Sequence, residues 1–299
     1  MTTHTHRTVD VPVAGGMLRV GVWDPVGPAR ADVLAVHGVT ASHRAWPFVA
    51  ERLPGVRVIA PDLRGRGRSN ELEGPAGMAV HAADLAAVLD ALDVPRAVVA
   101  GHSMGGFVAV VFAHRHAERV SRLVLVDGGL PLDVPQGLDP DELVSTILGP
   151  TAARLSMRFA DVREYLDFWR QHPAFQQDWT PELEDYLAYD LVPAGDAFRP
   201  ATSYSTTVDD TIDMNTGSAL RDALAELRHP AVLVTVPRGL LDQEPGLYPP
   251  AHLERVLAAI PGVRHERVEG FNHYTIVMSA EGADAVASVI ERELEAARD

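Results

Sequence analysis

The chain has 299 residues, 46 % of them hydrophobic and 22 % charged, which suits one globular domain carrying an insertion. It contains no cysteine and all 26 of its Lys and Arg positions are arginine. Thiol nucleophiles, disulfides, cysteine–zinc sites and lysine-dependent chemistry such as Schiff bases are therefore excluded. The net charge of −15 argues against nucleic acids and anionic membranes as partners.

The N-terminal residues give the first indication of location. Residues 1–7 have no apolar signal core, and no apolar run in the chain is long enough to span a membrane. We therefore expect a cytoplasmic protein with no membrane partner. The first seven residues are expected to be frayed.

Predicted strands and helices alternate over the first 127 residues. Alternating patterns predict two edge strands around a Gly15-Gly16 turn, and apolar runs predict buried strands. The predicted strands lie at 8–13, 18–23, 32–37, 56–60, 97–100 and 122–127. Helical spacing is found at 44–52, 76–92 and 107–116. Because strands that are apolar on both faces need helices on both sides, this order predicts a doubly wound, mostly parallel sheet.

The alternation stops at Gly128 and returns at 231–236. A further helix is predicted at 250–260, an eighth strand at 263–268 and a last helix at 283–297. We interpret 131–228 as a helical cap inserted into a core domain formed by 1–130 and 229–299. Aromatic residues are concentrated in the cap; most should form its own core, and a few should line a pocket.

The sequence Gly-His-Ser-Met-Gly-Gly at 101–106 joins a predicted strand to a predicted helix. This is a G-x-S-x-G pattern in the context that it requires. Gly101 and Gly105 leave room for a sharp turn that lifts the Ser103 hydroxyl above the sheet. The pattern therefore predicts Ser103 as a nucleophile.

A serine nucleophile requires a base, and that base requires a carboxylate. In a parallel sheet, functional groups collect on loops at the carboxyl ends of the strands. The polar residues on such loops are His37, Asp62, Asp127, Asp242, Glu244 and His273. Along the chain, the serine comes first, the candidate acids that follow it come next, and the histidine comes last, which is an order known for catalytic triads.

Together these motifs resemble the lidded branch of the α/β-hydrolase superfamily over nearly the whole chain. The resemblance rests on His37-Gly38, Asp62-x-x-Gly-x-Gly-x-Ser, the Ser103 motif and Asn272-His273. It implies an α/β-hydrolase fold with an eight-stranded sheet. It also implies Ser103 as nucleophile, His273 as general base, and the N–H groups of Val39 and Met104 as the oxyanion hole.

The identity of the acid stays open at this point. Asp242 is preferred because it follows the strand after the predicted cap, where the family usually carries this residue. Glu244, two residues later, is one alternative, and Asp127, after the strand that precedes the cap, is another. Asp62 is expected to tie loops together by pairing with Arg64, Arg66 and Arg68.

No metal or cofactor is expected. The pairs His4-x-His6 and His114-x-His116 have spacings that could bind a metal, but the first lies in the expected frayed end and the second faces different sides of a helix. The function expected is hydrolysis of a carboxylic ester, lactone or thioester, with an apolar small-molecule substrate and the chain acting alone or as a homodimer. The alternatives are carbon–carbon bond hydrolysis, acyl transfer, lyase or cofactor-free peroxidase chemistry, and a non-catalytic binding protein.

Overall fold

The computed structural model describes residues 3–135, 137–149 and 153–298. An eight-stranded sheet runs in the order β1-β2-β4-β3-β5-β6-β9-β10. The β1–β2 and β2–β4 pairings are antiparallel, and all the other pairings in this sheet are parallel. The predicted doubly wound, mostly parallel sheet is confirmed.

The strands follow the apolar runs of the sequence. The eight strands of the main sheet are β1 His4–Val13, β2 Gly16–Pro25, β3 Ala31–Val36, β4 Val56–Pro61, β5 Ala97–His102, β6 Val120–Val126, β9 Ala231–Thr235 and β10 Val263–Arg267. The expectation of a frayed first heptad is wrong from His4 onward, because β1 pairs with β2 along its whole length and the His4 ring bonds the carbonyl of Val56 at 2.8 Å.

Helices cover both faces of the sheet. They are α1 Pro47–Glu51, α2 Met78–Ala91, α3 Met104–Arg115, α4 Pro140–Leu148, α5 Val162–Arg170, α6 Pro181–Tyr189, α7 Tyr204–Thr216, α8 Ser218–Ala225, α9 Pro250–Ala259, α10 Thr275–Met278 and α11 Ala280–Ala296. The helix predicted over 44–52 is divided into a 3₁₀ turn and α1, and Pro47 opens α1.

Side-chain alternation along the strands divides the interior into two cores. On β5, Val99 packs with α2 and α3, while Val98 and Ala100 pack with α1 and α11. Because successive residues of a strand point to opposite faces, each central strand must be apolar throughout. This explains why these strands appear in the sequence as uninterrupted apolar runs.

The predicted cap segment lies between β6 and β9, which are neighbours in the sheet. The described residues from 131 to 228 contribute helices α4 to α8 and a small antiparallel hairpin, β7 Leu191–Ala194 with β8 Ala197–Pro200. The sequence analysis missed this hairpin, which turns at Gly195 with φ 69°. The exact domain boundaries stay a prediction.

Several aromatic side chains of the predicted cap pack on one another. Phe159, Tyr165, Trp169 and Phe175 are buried and meet in edge-on contacts. These contacts form a packed aromatic cluster, which is continuous with the core on the α1 and α11 side of the sheet. None of the helices in the described part of the chain is both long and apolar enough to cross a membrane.

Candidate active site

Ser103 lies at the turn between β5 and α3. Its backbone has φ 55° and ψ −126°, a conformation that a residue with a side chain rarely adopts. The turn is held by two backbone hydrogen bonds of 2.9 Å, from the N–H of Ser103 to Val126 and from the N–H of Gly106 to Ser103. The strained turn raises the hydroxyl above the carboxyl ends of the strands, as the motif predicts.

Glycines make this turn sterically feasible. A Cβ atom on Gly101 would lie 2.3 Å from the carbonyl oxygen of Gly105, and one on Gly105 would lie 2.1 Å from that of Val36. A third glycine, Gly128, belongs to the loop after β6, where a Cβ would lie 2.1 Å from the carbonyl oxygen of Ser103. The serine turn and the β6 loop therefore approach each other backbone to backbone.

That close approach brings a carboxylate to the predicted base. Oδ2 of Asp127, the residue after β6, lies 2.7 Å from Nδ1 of His273. The Asp127 side chain is completely buried, and that of His273 is 3 % exposed. With Nδ1–H donating to the carboxylate, Nε2 is the ring nitrogen left for exchange with a serine hydroxyl. Ser103 and His273 line the same two small cavities.

The preference for Asp242 as partner of His273 is therefore wrong. Oδ2 of Asp242 pairs with Arg238 at 3.0 Å, and Oδ1 accepts a 2.9 Å hydrogen bond from the side-chain amide of Asn272. Glu244 is exposed on the same loop. The loop after β9 carries Arg238, and this arginine binds the Asp242 carboxylate on the same loop.

The loop that carries His273 is fixed from two sides. Asn272 accepts from the N–H groups of Tyr274 and Thr275 at 3.0 Å and donates to Asp242, so it shapes the turn. His102 donates from Nε2 to the carbonyl of His273 at 2.8 Å. Burial, followed by the proximity of His273, holds the pKa of His102 well below its ordinary value, so its ring stays neutral.

The predicted oxyanion hole is also built from backbone. The carbonyl of Gly38 accepts from Nδ1 of His37 at 2.7 Å and from the N–H of Ala41 at 3.2 Å. Since the peptide is planar and trans, fixing this carbonyl directs the N–H of Val39 the opposite way. Met104 opens α3, so its N–H has no acceptor within the helix. Both residues line one cavity with Ser103.

His37 works as a neutral linker. Its Nε2 accepts from the N–H of Leu63 at 2.9 Å, which requires the proton to be on Nδ1. Complete burial lowers the pKa of His37 to about 4, against an opposing effect of Asp62. The ring therefore joins the loop of Gly38 and Val39 to the loop after β4 without carrying a charge at neutral pH.

The site opens into small, mostly apolar cavities. An inner cavity of about 30 Å³ contains Ser103, Asp127 and His273 among its lining residues. A cleft of about 300 Å³ lies beside it and shares four apolar side chains with it: Leu132, Ile147, Leu240 and Leu247. Leu240 also lines the second small cavity at Ser103. Of the aromatic cap residues, Tyr186 lines this second cavity.

The arginines near Asp62 do not pair with it as expected. Asp62 is bonded instead by the His43 ring at 2.8 Å and the Tyr189 hydroxyl at 2.7 Å. Arg64 pairs with Asp84, and Arg66 pairs with Asp210 on α7. Burial would raise the pKa of Asp62, but its hydrogen bonds, led by that from His43, lower this pKa to about 2. Asp62 thus ties helix α6, in the predicted cap, to the loop after β4.

One signal for Asp127 was present in the sequence. It stands directly after a buried strand and is followed by Gly128-Gly129, which permits close approach to another backbone. The sequence carried no comparable signal for two other contacts: His102 bonds the carbonyl of His273, and Arg66 bonds the carbonyl of Val39. Both contacts depend on which loops meet in space. Within the described residues, no group of His, Asp and Glu side chains is arranged to hold a metal.

Comparison with known proteins identifies the family of the chain. The family model described as "alpha/beta hydrolase fold" matches residues 33–277. Over 116 residues the chain is 42 % identical to the lipase LipV of Mycobacterium tuberculosis. This aligned stretch covers 39 % of this chain and 43 % of that lipase. Over 143 residues it is 34 % identical to the 2-hydroxy-6-oxo-2,4-heptadienoate hydrolase of Pseudomonas putida, covering 46 % and 51 % of the two chains.

A solved structure extends the likeness to the entire fold. The thioesterase domain from the curacin biosynthetic pathway superposes with a TM-score of 0.73 at 21 % identity, covering 97 % of this chain and 99 % of that domain. At this identity the likeness shows the fold alone. The chain spans about half or less of the curated relatives described above. The match of the family model over most of the chain establishes that this protein belongs to the α/β-hydrolase family of enzymes.

Proposed function

We propose that the protein is a serine hydrolase that cleaves a carboxylic ester, lactone or thioester through an acyl-enzyme. The observation that carries the proposal is the buried 2.7 Å contact between Asp127 and His273 beside Ser103. This contact sets the tautomer of the imidazole and leaves Nε2 to act as the base. Asp127, rather than Asp242, is the acid of the proposed triad.

In the first half of the reaction, Ser103 transfers its hydroxyl proton to Nε2 of His273 as Oγ attacks the carbonyl carbon. The carbonyl oxygen becomes negatively charged, and the N–H groups of Val39 and Met104 hold it. Asp127 stabilises the imidazolium that forms. His273 then protonates the leaving oxygen or sulfur, the bond to the carbonyl carbon breaks, and the acyl group remains on Ser103.

In the second half, water takes the place of the leaving group. His273 removes a proton from the water as its oxygen attacks the acyl carbon, and the same N–H groups hold the second oxyanion. Collapse breaks the bond to Oγ, and His273 returns its proton to Ser103. A carboxylic acid is released and the enzyme is restored without any cofactor.

The substrate proposed is a small molecule with an apolar acyl or alkyl group. Supporting this, leucine and isoleucine side chains separate the inner cavity from the adjoining cleft. The inner cavity, of about 30 Å³, has room for only a few water-sized groups, so a substrate must displace some of these side chains to reach Ser103. We further propose that residues 131–228 act as the cap over a core of 1–130 and 229–299.

The proposal is tested by labelling the protein with a fluorophosphonate and by measuring hydrolysis of p-nitrophenyl esters. The expected result is one label per chain, located at Ser103 by mass spectrometry, with turnover that is lost in S103A. Ser121, which bonds the carbonyl of Ala97 away from the site, provides the matched control S121A. Equal labelling of S103A and S121A would exclude Ser103 as the nucleophile.

Carbon–carbon bond hydrolysis is a second candidate, favoured by the resemblance to the Pseudomonas putida hydrolase. It would use the same groups on a vinylogous diketone in place of an ester. A panel containing both esters and such diketones separates the two. Turnover of the diketones alone would support the second candidate over ester hydrolysis.

A further inference from the structure

A completely buried ion pair lies behind the predicted oxyanion hole. Arg66, on the loop after β4, pairs with Asp210 on α7, and neither side chain has any exposed surface. Both oxygens of Asp210 also lie 3.0 Å from Nε2 of His81, and Oδ1 accepts from the N–H of Gly77 at 2.7 Å. The carboxylate is thus fully engaged, which a buried charge requires.

The guanidinium of Arg66 faces both residues of the oxyanion hole. Its Nε donates to the carbonyl of Val39 at 2.8 Å, and its Nη2 lies 3.9 Å from the sulfur of Met104. Nη1 donates to the carbonyl of Arg64 at 2.9 Å, which fixes the plane of the guanidinium. The peptide between Gly38 and Val39 is therefore held at two points: His37 bonds the carbonyl of Gly38, and Arg66 bonds the carbonyl of Val39.

The same ion pair connects the hole to the predicted cap. Helix α7 carries Asp210, and its residues Thr211 and Met214 line the inner cavity with Ser103. A second contact lies nearby, where the N–H of Ser203 donates to the carbonyl of Gly65 at 2.8 Å. Movement of α7 over the cavity would therefore pull on Arg66 and, through it, on Val39.

We propose that Arg66 is a positioning residue for the oxyanion hole and that Asp210 couples the seating of α7 to the geometry of that hole. The inference rests on the proposed function. Substrate that seats α7 would align the N–H of Val39, and a displaced α7 would leave the hole incomplete. Burial would raise the pKa of Asp210, but contact with His81 and Arg66 holds this pKa below its ordinary range, so the pair stays ionised.

The chain offers a matched control two residues away. Arg64 pairs with Asp84 at 2.9 Å, and both side chains are at most 4 % exposed. The remaining side-chain bonds of Arg64 go to the carbonyls of Glu73 and Ala14, away from Val39 and Met104. Both arginines thus make a buried pair from the same loop, and one of the two contacts the oxyanion hole.

The experiment compares two double variants, R66M/D210N and R64M/D84N, because removal of both partners leaves no unpaired buried charge. For each, kcat and KM on a p-nitrophenyl ester, the rate of fluorophosphonate labelling and Tm are measured. We expect R66M/D210N to lose about 100-fold in kcat and in labelling rate with KM within about threefold, since one oxyanion donor is misplaced. R64M/D84N should lower Tm comparably but keep kcat within about threefold.

Equal kcat losses in the two variants, or none in either, would overturn the positioning role. If R66M/D210N does not fold, the single variant R66K decides. It keeps the charge but loses the planar fork, so a kcat loss with unchanged KM is expected; full wild-type kcat would overturn the proposal. A wild-type protein that neither labels nor hydrolyses esters would instead refute the proposed function itself, and this inference with it.

Discussion

Nδ1 of His273 and Oδ2 of Asp127 lie 2.7 Å apart although 146 positions separate the two residues in the chain. The carboxylate comes from the first residue after β6, the strand before the predicted cap, and the imidazole comes from the loop after the last strand. Asp242, which is much closer to His273 in the sequence, is 3.0 Å from Arg238 instead. The pairing of the acid is therefore set by which strands are neighbours in the sheet.

The first prediction concerns these two carboxylates. D127N should lower kcat by about 10⁴-fold in ester hydrolysis, because an amide favours the wrong tautomer of His273. D242N should cost less than about tenfold, since Asp242 acts on His273 only indirectly, through Asn272 and through Arg238, which donates to the carbonyl of Gly270. Circular dichroism and Tm verify that both variants are folded. A larger loss in D242N than in D127N would contradict the assignment of the acid.

The second prediction concerns the close contact at Gly128. G128A should abolish fluorophosphonate labelling and lower the free energy of unfolding by about 1–3 kcal/mol, because its Cβ would lie 2.1 Å from the carbonyl oxygen of Ser103. Gly262 serves as control, since a Cβ there meets nothing within 4 Å. G262A should stay within about 0.5 kcal/mol of the wild type. Normal labelling of G128A would show that the two loops can separate without loss of the site.

The third prediction concerns the residue shared by the cleft and both cavities, Leu240. L240A should move the preferred p-nitrophenyl ester toward longer acyl chains, raising kcat/KM for the longer esters by about tenfold relative to acetate. Its neighbour Leu241 is 40 % exposed and lines the cleft but neither small cavity, so L241A is the control. An unchanged chain-length profile in L240A would mean that substrate reaches Ser103 by another route.

The fourth prediction concerns pH and the neutral His37. Because its pKa is about 4 in the folded protein and 6.5 is its ordinary value, the unfolded chain binds more protons between these pH values. Stability should therefore fall as pH falls from about 6.5 to about 4, by roughly 3 kcal/mol for this residue. Urea unfolding at several pH values measures the slope. H37Q should be less stable at pH 7 but show a shallower slope; an equal slope would exclude His37 as a contributor.

Much of the fold could be predicted from the sequence because its signals are local. The buried strands are apolar on both faces, and the glycines at 101 and 105 indicate the turn at Ser103. The hairpin β7–β8 was missed since its strands are four residues long each and too short to show a clear period.

The sequence by itself determined the fold, the nucleophile candidate and the base candidate, because each has a signal in a short stretch of the chain. These signals are the apolar runs of the strands, the motif around Ser103 and the loop after the last strand. Tertiary structure alone decided that Asp127 faces His273, that Asp242 binds Arg238, and that Arg66 joins Val39 to α7. The physical reason is that a buried polar or charged side chain bonds to whichever complementary group lies nearest to it in space. Which group is nearest depends on the order of strands in the sheet and on the packing of the helices between β6 and β9.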